Sequence, residues 1–252
     1  VLNVEADATD VPMGTDIVNQ LINTTNEVQA VTYYFRYRFN DPRNGDIPFC
    51  DHGIDTAITV YVNPTPDFSV TIADTIVCDS TTITLDVTDL LGNVHGTKVY
   101  DLTTTYTPGA VLNVEPTTSD IPIATDIVNQ LINTTNEVQA VTYHFRYRFN
   151  DPRNGDIPFC DHGIDTAITV YVNPTPDFSV TIADTIVCDS TTITLDVTDL
   201  LGNVHGTKVY DLTTTYTPGA VLNVEADATD VPMGTDIVNQ LINTTNEVQA
   251  VT

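Results

Sequence analysis

The clearest alternation of polar and apolar residues in the sequence is VTYHFRYRF, at residues 141–149. Every second residue is apolar and falls on one face of an extended chain: Val141, Tyr143, Phe145, Tyr147 and Phe149. The residues between them are polar, namely Thr142, His144, Arg146 and Arg148. A period of two predicts a β-strand with one face in a core and the other face toward solvent.

Nearly the same stretch occurs earlier as VTYYFRYRF, at residues 31–39, because the chain contains a repeat of 110 residues. Residues 1–110 match residues 111–220 with eight differences, and residues 221–252 are identical to residues 1–32. Seven of the differences lie between Ala6 and Gly14, and the eighth places His144 where the earlier copy has Tyr34. A period of this length is typical of a whole domain rather than of a solenoid unit.

The boundary between copies is marked by Asn63-Pro64-Thr65-Pro66, which recurs at residues 173–176. Prolines lack a backbone donor and are disfavoured inside a sheet, so we place the boundary there. Residues 63–172 are then one complete repeat. Residues 1–62 are predicted to be the C-terminal part of a preceding repeat and residues 173–252 the N-terminal part of a following one, so we expect the chain to be a window on a longer array.

The complete repeat is predicted to contain strands only. They are expected around Phe68–Ile72, Thr82–Val87, Thr97–Thr107, Val111–Val114, Asp126–Ile132, Val141–Phe149 and Ile168–Val172, with a long polar loop at Asn150–Gly163. About seven short strands separated by turn residues favour a β-sandwich of the immunoglobulin type. The expected fold class is therefore all-β, with tandem immunoglobulin-like domains in a rod-like array.

Composition excludes several classes of function. The chain has 34 acidic and 8 basic residues, a formal net charge of −26, and this disfavours binding to nucleic acid or to an anionic membrane. The sequence holds no apolar run of about 18 residues, so no membrane span is expected. No Ser/His/Asp or Cys/His spacing matches a known catalytic signature, and we expect the chain not to be an enzyme.

Two polar features leave alternatives open. Asp151, Asn154 and Asp156 lie in one turn and offer the oxygen ligands that calcium prefers, although Asp and Asn are also common turn residues. Calcium is therefore the one cofactor considered. Arg146 and Arg148 would either grip an acidic polysaccharide or, as we favour, pair with Asp on neighbouring strands.

Three stretches carry a resemblance to a known family: DTAITVYVNPTP at residues 165–176, TIVCDSTTITL at 185–195 and LINTTNEVQAVTY at 131–143. They resemble the PKD-like repeats of giant Bacteroidota surface adhesins, and are similar to those of gliding-motility adhesins of the SprB type. The resemblance covers the whole chain. It implies PKD-like sandwich domains, export by the type IX system and display outside the cell as a long filament on the cell surface.

The function expected from this resemblance is that of a stalk segment of a surface adhesin, for attachment or gliding. Its partners would be neighbouring repeats, other filament chains or surface polysaccharide. The competing hypothesis is a binding module, in which each repeat presents the variable loop Ala6–Gly14 to a glycan or a protein.

The resemblance also implies O-glycosylation, because that phylum modifies Asp-Ser/Thr triplets that end in a small or apolar residue. Thr75, Ser80 and Thr166 lie in such triplets. The N-glycosylation pattern at Asn133, and at its copies Asn23 and Asn243, is of a kind that matches often by chance.

Each repeat contains two cysteines, Cys78 and Cys160 in the complete one, and an exported protein with paired cysteines is expected to form disulfides. In an immunoglobulin-type sandwich these positions lie at opposite ends, about 23 Å apart for a strand of seven residues. A disulfide needs Cα atoms within about 7 Å. We therefore predict that each cysteine bonds to a neighbouring repeat, with a Cys78–Cys160 bond inside the repeat as the alternative.

Overall fold

The computed structural model of the chain describes residues 1–41, 47–50, 55–151, 157–160 and 163–252. The described residues form an all-β protein with many strands in several sheets and without a helix. Within these ranges no segment therefore has the length and helical structure needed to cross a membrane as a helix. Below, residues 1–62 are called the N-terminal segment, 63–172 the central repeat and 173–252 the C-terminal segment.

The strands follow one another along the three parts of the chain. The N-terminal segment contains β1 (Gln29–Arg36), β2 (Phe39–Asp41), β3 (Ile47–Cys50) and β4 (Asp55–Val62). The central repeat contains β5 (Phe68–Thr71), β6 (Ile76–Val77), β7 (Thr82–Asp89), β8 (Thr97–Thr105), β9 (Val111–Leu112), β10 (Thr118–Pro122), β11 (Ile127–Gln130), β12 (Ile132–Asn133), β13 (Gln139–Asp151), β14 (Ile157–Cys160) and β15 (Asp165–Val172). The C-terminal segment contains β16 (Phe178–Ile182), β17 (Thr192–Asp199), β18 (Val209–Leu212), β19 (Val221–Leu222), β20 (Ala228–Pro232), β21 (Ile237–Gln240) and β22 (Ile242–Asn243).

The central repeat is built from two main sheets. The larger sheet has the strand order β10-β8-β13-β15-β6, with β14 also paired to β13. The smaller has the order β11-β7-β5, and β9 pairs with β12. All these pairs are antiparallel except β6 with β15, where Tyr171 lies opposite Ile76. This arrangement is consistent with a β-sandwich.

The alternation at residues 141–149 places β13 in the middle of the larger sheet. Its apolar residues face inward and are buried, with exposed fractions of 0–1%, while His144 and Arg146 on the other face are exposed. One cluster of buried side chains joins this face to the smaller sheet, and all of its fully buried members lie between Phe68 and Val172. The division of the chain at Asn63 and Asn173 is itself a prediction that this burial does not test.

Three buried tyrosines of the central repeat keep a partner for each hydroxyl. Tyr100 donates to the carbonyl of Thr125 at 2.7 Å, and Tyr143 donates to Asn129 Oδ1 at 2.7 Å. Tyr147 donates to Asp89 Oδ1 at 3.1 Å. Burial raises the pKa of Tyr100 to about 12 and raises the pKa of the other two as well. A buried phenol without a partner would cost stability, so these contacts let large rings fill the core.

The flanking segments repeat the pairings of the central repeat. Strand β1 pairs with β4 with Gln29 opposite Val62, as β13 pairs with β15 with Gln139 opposite Val172. Strands β2 and β3 pair as β13 and β14 do. The sheet β16-β17-β21 and the pairs β18-β20 and β19-β22 of the C-terminal segment likewise match their counterparts.

Three strands lie where the sequence predicted none. The predicted polar loop at Asn150–Gly163 is wrong in part, because β13 runs on to Asp151 and β14 returns along it. The predicted loop Ala6–Gly14 itself contains no strand, whereas its copy in the central repeat contains the edge strand β10. The third, β6, is only two residues long.

Candidate functional site: the junctions between repeats

Successive copies of the repeat contact each other through the turn that precedes β8 or β18. In the first junction, the amide of Gly92 donates to the carbonyl of Asn26 at 2.9 Å, and the amide of Val28 donates to the carbonyl of Asn93 at 2.7 Å. The second junction has the same two bonds 110 residues later: Gly202 to Asn136 at 2.8 Å and Val138 to Asn203 at 2.7 Å. The two bonds resemble a short antiparallel ladder, which fixes one copy against the next.

The side chain of the linker asparagine, Asn63 or Asn173, also forms hydrogen bonds with the backbone of this turn. Asn63 Nδ2 donates to the carbonyl of His95 at 2.7 Å, and its Oδ1 accepts from the amide of His95 at 2.8 Å. Asn173 makes both bonds with His205, at 2.9 and 2.8 Å. A primary amide offers one donor side and one acceptor side, so it can pair with a backbone as a strand does. The side chain therefore extends the junction into the proline-containing linker.

An aromatic contact covers each junction. The rings of Tyr61 and His95 lie 4.5 Å apart between centroids, and those of Tyr171 and His205 lie 4.7 Å apart. Offset or tilted ring pairs at this distance add to the free energy of packing. The apolar surface of each tyrosine is thus shared between one copy and the turn of the next.

The glycine of the junction turn lies close to a side chain of the preceding copy. A Cβ at Gly92 would lie 2.6 Å from Cγ of Glu27, which belongs to the preceding copy. The same clash would arise between Gly202 and Glu137. A larger residue in the turn would therefore require the exposed Glu27 or Glu137 side chain to shift, and this contact cannot be seen within a single repeat.

Asp79 connects the end of the central repeat with the following linker. Its carboxylate accepts from the amide of Asn133 at 2.7 Å and from the hydroxyl of Thr175 at 2.7 Å. Burial by itself would raise the pKa of Asp79, but the hydrogen bonds from Thr175, Asn133 and Ser80 lower it below its ordinary value. The charged carboxylate is thus the form that holds the linker.

Asn133 has a structural role that conflicts with N-glycosylation. It is only 6% exposed, and its Nδ2 donates to the carbonyls of Glu137 and Val172, each at 2.8 Å. Asn23 makes the equivalent bonds to Glu27 and Val62 at 2.8 Å. Both amide hydrogens are therefore used to tie a turn to the end of the last strand of the repeat, at the side of the junction.

The two cysteines of the central repeat lie at opposite ends of the larger sheet. Cys78 directly follows Val77, which lies opposite Val172, whereas Cys160 lies opposite Phe149. Ten residues of β13 separate these ends, a distance of about 34 Å. Cys78 makes no disulfide in this structure, and neither does Cys188.

Each cysteine nevertheless lies at an end that faces a neighbouring copy. Cys78 is next to Asp79, which contacts the linker to the C-terminal segment. Cys160 is at the end of β13 where β8 starts, since Thr97 pairs with Asn150, and this end bears the turn of the first junction. The bond between neighbouring repeats stays a prediction.

Arg148 forms a buried ion network on the outer side of the larger sheet. Its Nε and Nη2 both donate to Asp101, at 2.8 Å each, and Nη2 also lies 2.7 Å from Oδ1 of Asp120. Asn150 contacts both Arg148 and Asp120. The arginine is 6% exposed, so it cannot grip a polysaccharide, and the favoured pairing with Asp is the one found here.

The pairing lowers the pKa of both carboxyl groups. Burial by itself would raise the pKa of Asp101, but hydrogen bonds from Arg148 and from the amide of Asp120 lower it. Hydrogen bonds from Asn150 and Arg148 lower the pKa of Asp120. Asp120 has a positive φ of 59° within a register shift of β10, and this turns its carboxylate toward the arginine. One feature of the sequence pointed to a role for Asp120: its copy Asp10 is the same residue, although most of the positions around it differ between the copies.

The other predicted site residues are those of the calcium site and of O-glycosylation. Asp151 ends β13, while Asn154 and Asp156 lie outside the described residues, so the calcium prediction is not tested. Where the structure describes the chain, no three His, Cys, Asp or Glu side chains form a group that could hold a metal ion. Thr75 and Ser80 are exposed and Thr166 is partly buried, and their glycosylation stays a prediction.

Comparison with known proteins adds no identity. No protein-family model matches the chain, and no curated protein matches it either.

Proposed function

We propose that this chain is a segment of the stalk of an extracellular, repetitive surface adhesin, made of tandem immunoglobulin-like domains. The strand order supports the domain type. A three-stranded sheet faces a larger sheet whose last strand pairs in parallel with a short strand near the start of the repeat. Sandwiches of the immunoglobulin class have two such sheets in about 100 residues.

One observation carries the proposal: the two junctions use the same contacts. Backbone pairing, the linker asparagine, the tyrosine–histidine contact and the close glycine all recur 110 residues apart. If each copy contacts the next in one geometry, a long array becomes a regular and stiff filament instead of a flexible chain of beads. Such stiffness suits a spacer that holds a distant tip away from a surface.

The charge of the chain supports the same function. A net charge of −26 keeps neighbouring filaments soluble and apart. The resemblance to PKD-like adhesin repeats supports export and a position on the cell surface. The proposal assigns no reaction to the chain.

Antibodies raised against this chain test the proposal on cells of the source organism. We expect immunogold labelling of intact cells, with gold particles at distances from the envelope that exceed the length of one repeat. Protease treatment of intact cells should remove the label. Labelling only after lysis, or only at the envelope, would contradict an extended surface stalk.

A further inference from the structure

The outward face of the larger sheet contains an open groove in the central repeat. Its volume is about 520 Å³, and residues from four neighbouring strands line it, among them Asp101, Thr103, Ser119, His144, Arg146 and Asp165. This volume lies within the range of about 300–1,000 Å³ that is common for ligand pockets. The groove shares none of its lining residues with the junctions described above.

Register explains the shape of the groove. His144 lies between Thr103 on β8 and Ala167 on β15, and these small neighbours leave its imidazole ring exposed. One step along the strand, Arg146 lies between Asp101 and Asp165. A flat ring is thus followed by a guanidinium group between two carboxylates, with hydroxyl groups at the sides.

Most of the differences between copies of the repeat cluster at one edge of the larger sheet. Seven of them lie in and around β10, the edge strand of the same sheet, and the eighth is His144. Ser119 and His144 both line the groove, and the other copy has Thr9 and Tyr34 there. The ring of Tyr34 is 83% exposed.

Exposure to solvent alone does not explain why the copies differ at these positions. The outer face of the smaller sheet carries Thr82, Thr84, Asp86 and Thr88, which are equally open to solvent and identical in residues 173–220. Asp120, which pairs with the buried Arg148, is unchanged although most of its neighbours differ. Two of the eight differences, at Ser119 and His144, therefore fall in the groove lining, whereas two others, at Ile121 and Ile123, fall where side chains pack against the core.

We propose that this groove binds a neutral carbohydrate chain. Carboxylates accept hydrogen bonds from sugar hydroxyls, Arg146 and the lining hydroxyls donate them, and an exposed ring offers a flat face for a sugar ring. A polyanionic glycan is disfavoured, because two carboxylates flank the one guanidinium and the chain carries a net charge of −26. The polar lining does not suit an apolar peptide, and an open groove suits a chain better than an enclosed small molecule.

Each groove is shallow, so a single site is expected to bind weakly. An array of repeats would make up for the weak binding of one site, because a long glycan or a glycan-coated surface would contact many grooves at intervals of one repeat. Linked sites can raise the overall affinity by about 10²–10⁴ over that of one site. The change from His144 to Tyr34 would vary the sugar preference from one copy to the next without changing the stalk.

Saturation-transfer NMR on the whole 252-residue chain tests the proposal, with maltotetraose, cellotetraose, laminaritetraose and mannotetraose at millimolar concentration as probes. We expect transfer to at least one of them. His144→Ala should reduce that transfer at least fivefold, and Ala167→Trp, which fills the groove, should abolish it. Thr84→Ala, on the outer face of the smaller sheet, is the matched control and should leave it unchanged.

Each other outcome overturns the proposal. Absence of transfer to all four probes contradicts it, and so does transfer that persists in both groove variants while their circular dichroism matches the parent chain. A heparin tetrasaccharide and a tetralysine peptide serve as charged probes. If either of them contacts the groove and no neutral saccharide does, the assignment to neutral carbohydrate is wrong. None of these results bears on the stalk proposal, which the cell-surface labelling tests separately.

Discussion

The central repeat and the N-terminal segment contain nearly the same strand, yet its residues have different surroundings. Phe145 and Phe149 of β13 are 1% and 0% exposed, whereas their copies Phe35 and Phe39 are 40% and 51% exposed. In the central repeat these rings face β5, β7 and β11. The N-terminal segment lacks the copies of β5 and β7, and its copy of β11, residues 17–20, forms no strand.

In the C-terminal segment it is the counterpart of the smaller sheet that is present. Its β16 and β17 pair as β5 and β7 do, but Phe178 is 45% exposed while its copy Phe68 is 5% exposed. Local strand pairing thus survives without copies of β13 and β15, whereas the burial of Phe178 does not. An alternating pattern specifies a strand and its inward face, and the free energy of folding depends on the second sheet.

The largest expected effect comes from matched substitutions of one aromatic residue. Phe145→Ala should destabilise the central repeat by about 3–5 kcal/mol, because it leaves a cavity in a packed core. Phe35→Ala, at the equivalent position, should change the stability of the central repeat by less than about 0.5 kcal/mol. Native-state hydrogen exchange at amides of β8 and β13 measures both. Equal effects would show that the two copies of the strand do not differ in their energetic surroundings.

A second comparison concerns the buried arginine. Arg148→Ala should cost about 3 kcal/mol, because it leaves Asp101 and Asp120 without their charged partner in a partly buried site. Its copy Arg38 forms one described ion pair, with Asp10, and its side chain is 30% exposed, so Arg38→Ala should cost about 1 kcal/mol or less. Urea denaturation of each variant measures the difference. Arg148→Lys keeps the charge but not the forked contact, and should give an intermediate loss.

The junctions allow a comparison of two asparagines. Asn173→Ala removes both bonds to His205 and should destabilise the second junction by about 1 kcal/mol. The exchange rate of the His205 amide should then rise about fivefold, while that of His95 stays unchanged. Asn63→Ala should instead raise the exchange rate of the His95 amide and leave that of His205 unchanged. A uniform rise at both amides would mean that the two junctions do not open separately.

The smallest effect expected is on the acid stability of the central repeat. Asp79, Asp101 and Asp120 have pKa values below their ordinary ones, so each contributes stability above the pKa of the unfolded chain, and this is lost as the pH falls through the folded value. We expect the melting temperature to fall by several degrees between about pH 4 and pH 2. Asp120→Asn should lower the melting temperature at pH 7 and weaken this pH dependence. A melting temperature that rises steadily on acidification would contradict the assignment.

Part of this structure could be predicted from the sequence. The alternation at residues 141–149 predicted the central strand and its buried face. The division into copies at the proline pairs stays a prediction. Strand β10 was missed because its Thr, Ser, Asp and Pro residues lack alternation, and a register shift at Asp120 breaks its pairing. Strand β14 was missed because its four residues contain Pro158 and lie among turn residues.

The junctions could not be predicted, because most of their contacts carry no side-chain pattern. Gly92 and Val28 act through backbone groups, and the side chain that lies close to Gly92 belongs to the preceding copy. Asn63 could be recognised only as a residue before a proline. Its partner His95 is 32 residues away, and Asn63 hydrogen-bonds only with the backbone groups of that residue. Contacts between copies depend on three-dimensional approach, which periodicity within one copy does not specify.

Double electron–electron resonance across both junctions tests most directly whether the repeats form a regular array. Spin labels at Ala57→Cys with Thr84→Cys report the first junction, and labels at Ala167→Cys with Thr194→Cys report the second, in a chain whose native cysteines are replaced by serine. We predict the same narrow distance distribution for the two pairs, and a Gly-Ser spacer inserted after Val172 should broaden only the second. Broad distributions, or two different distances, in the chain without the spacer would contradict a regular array of repeats.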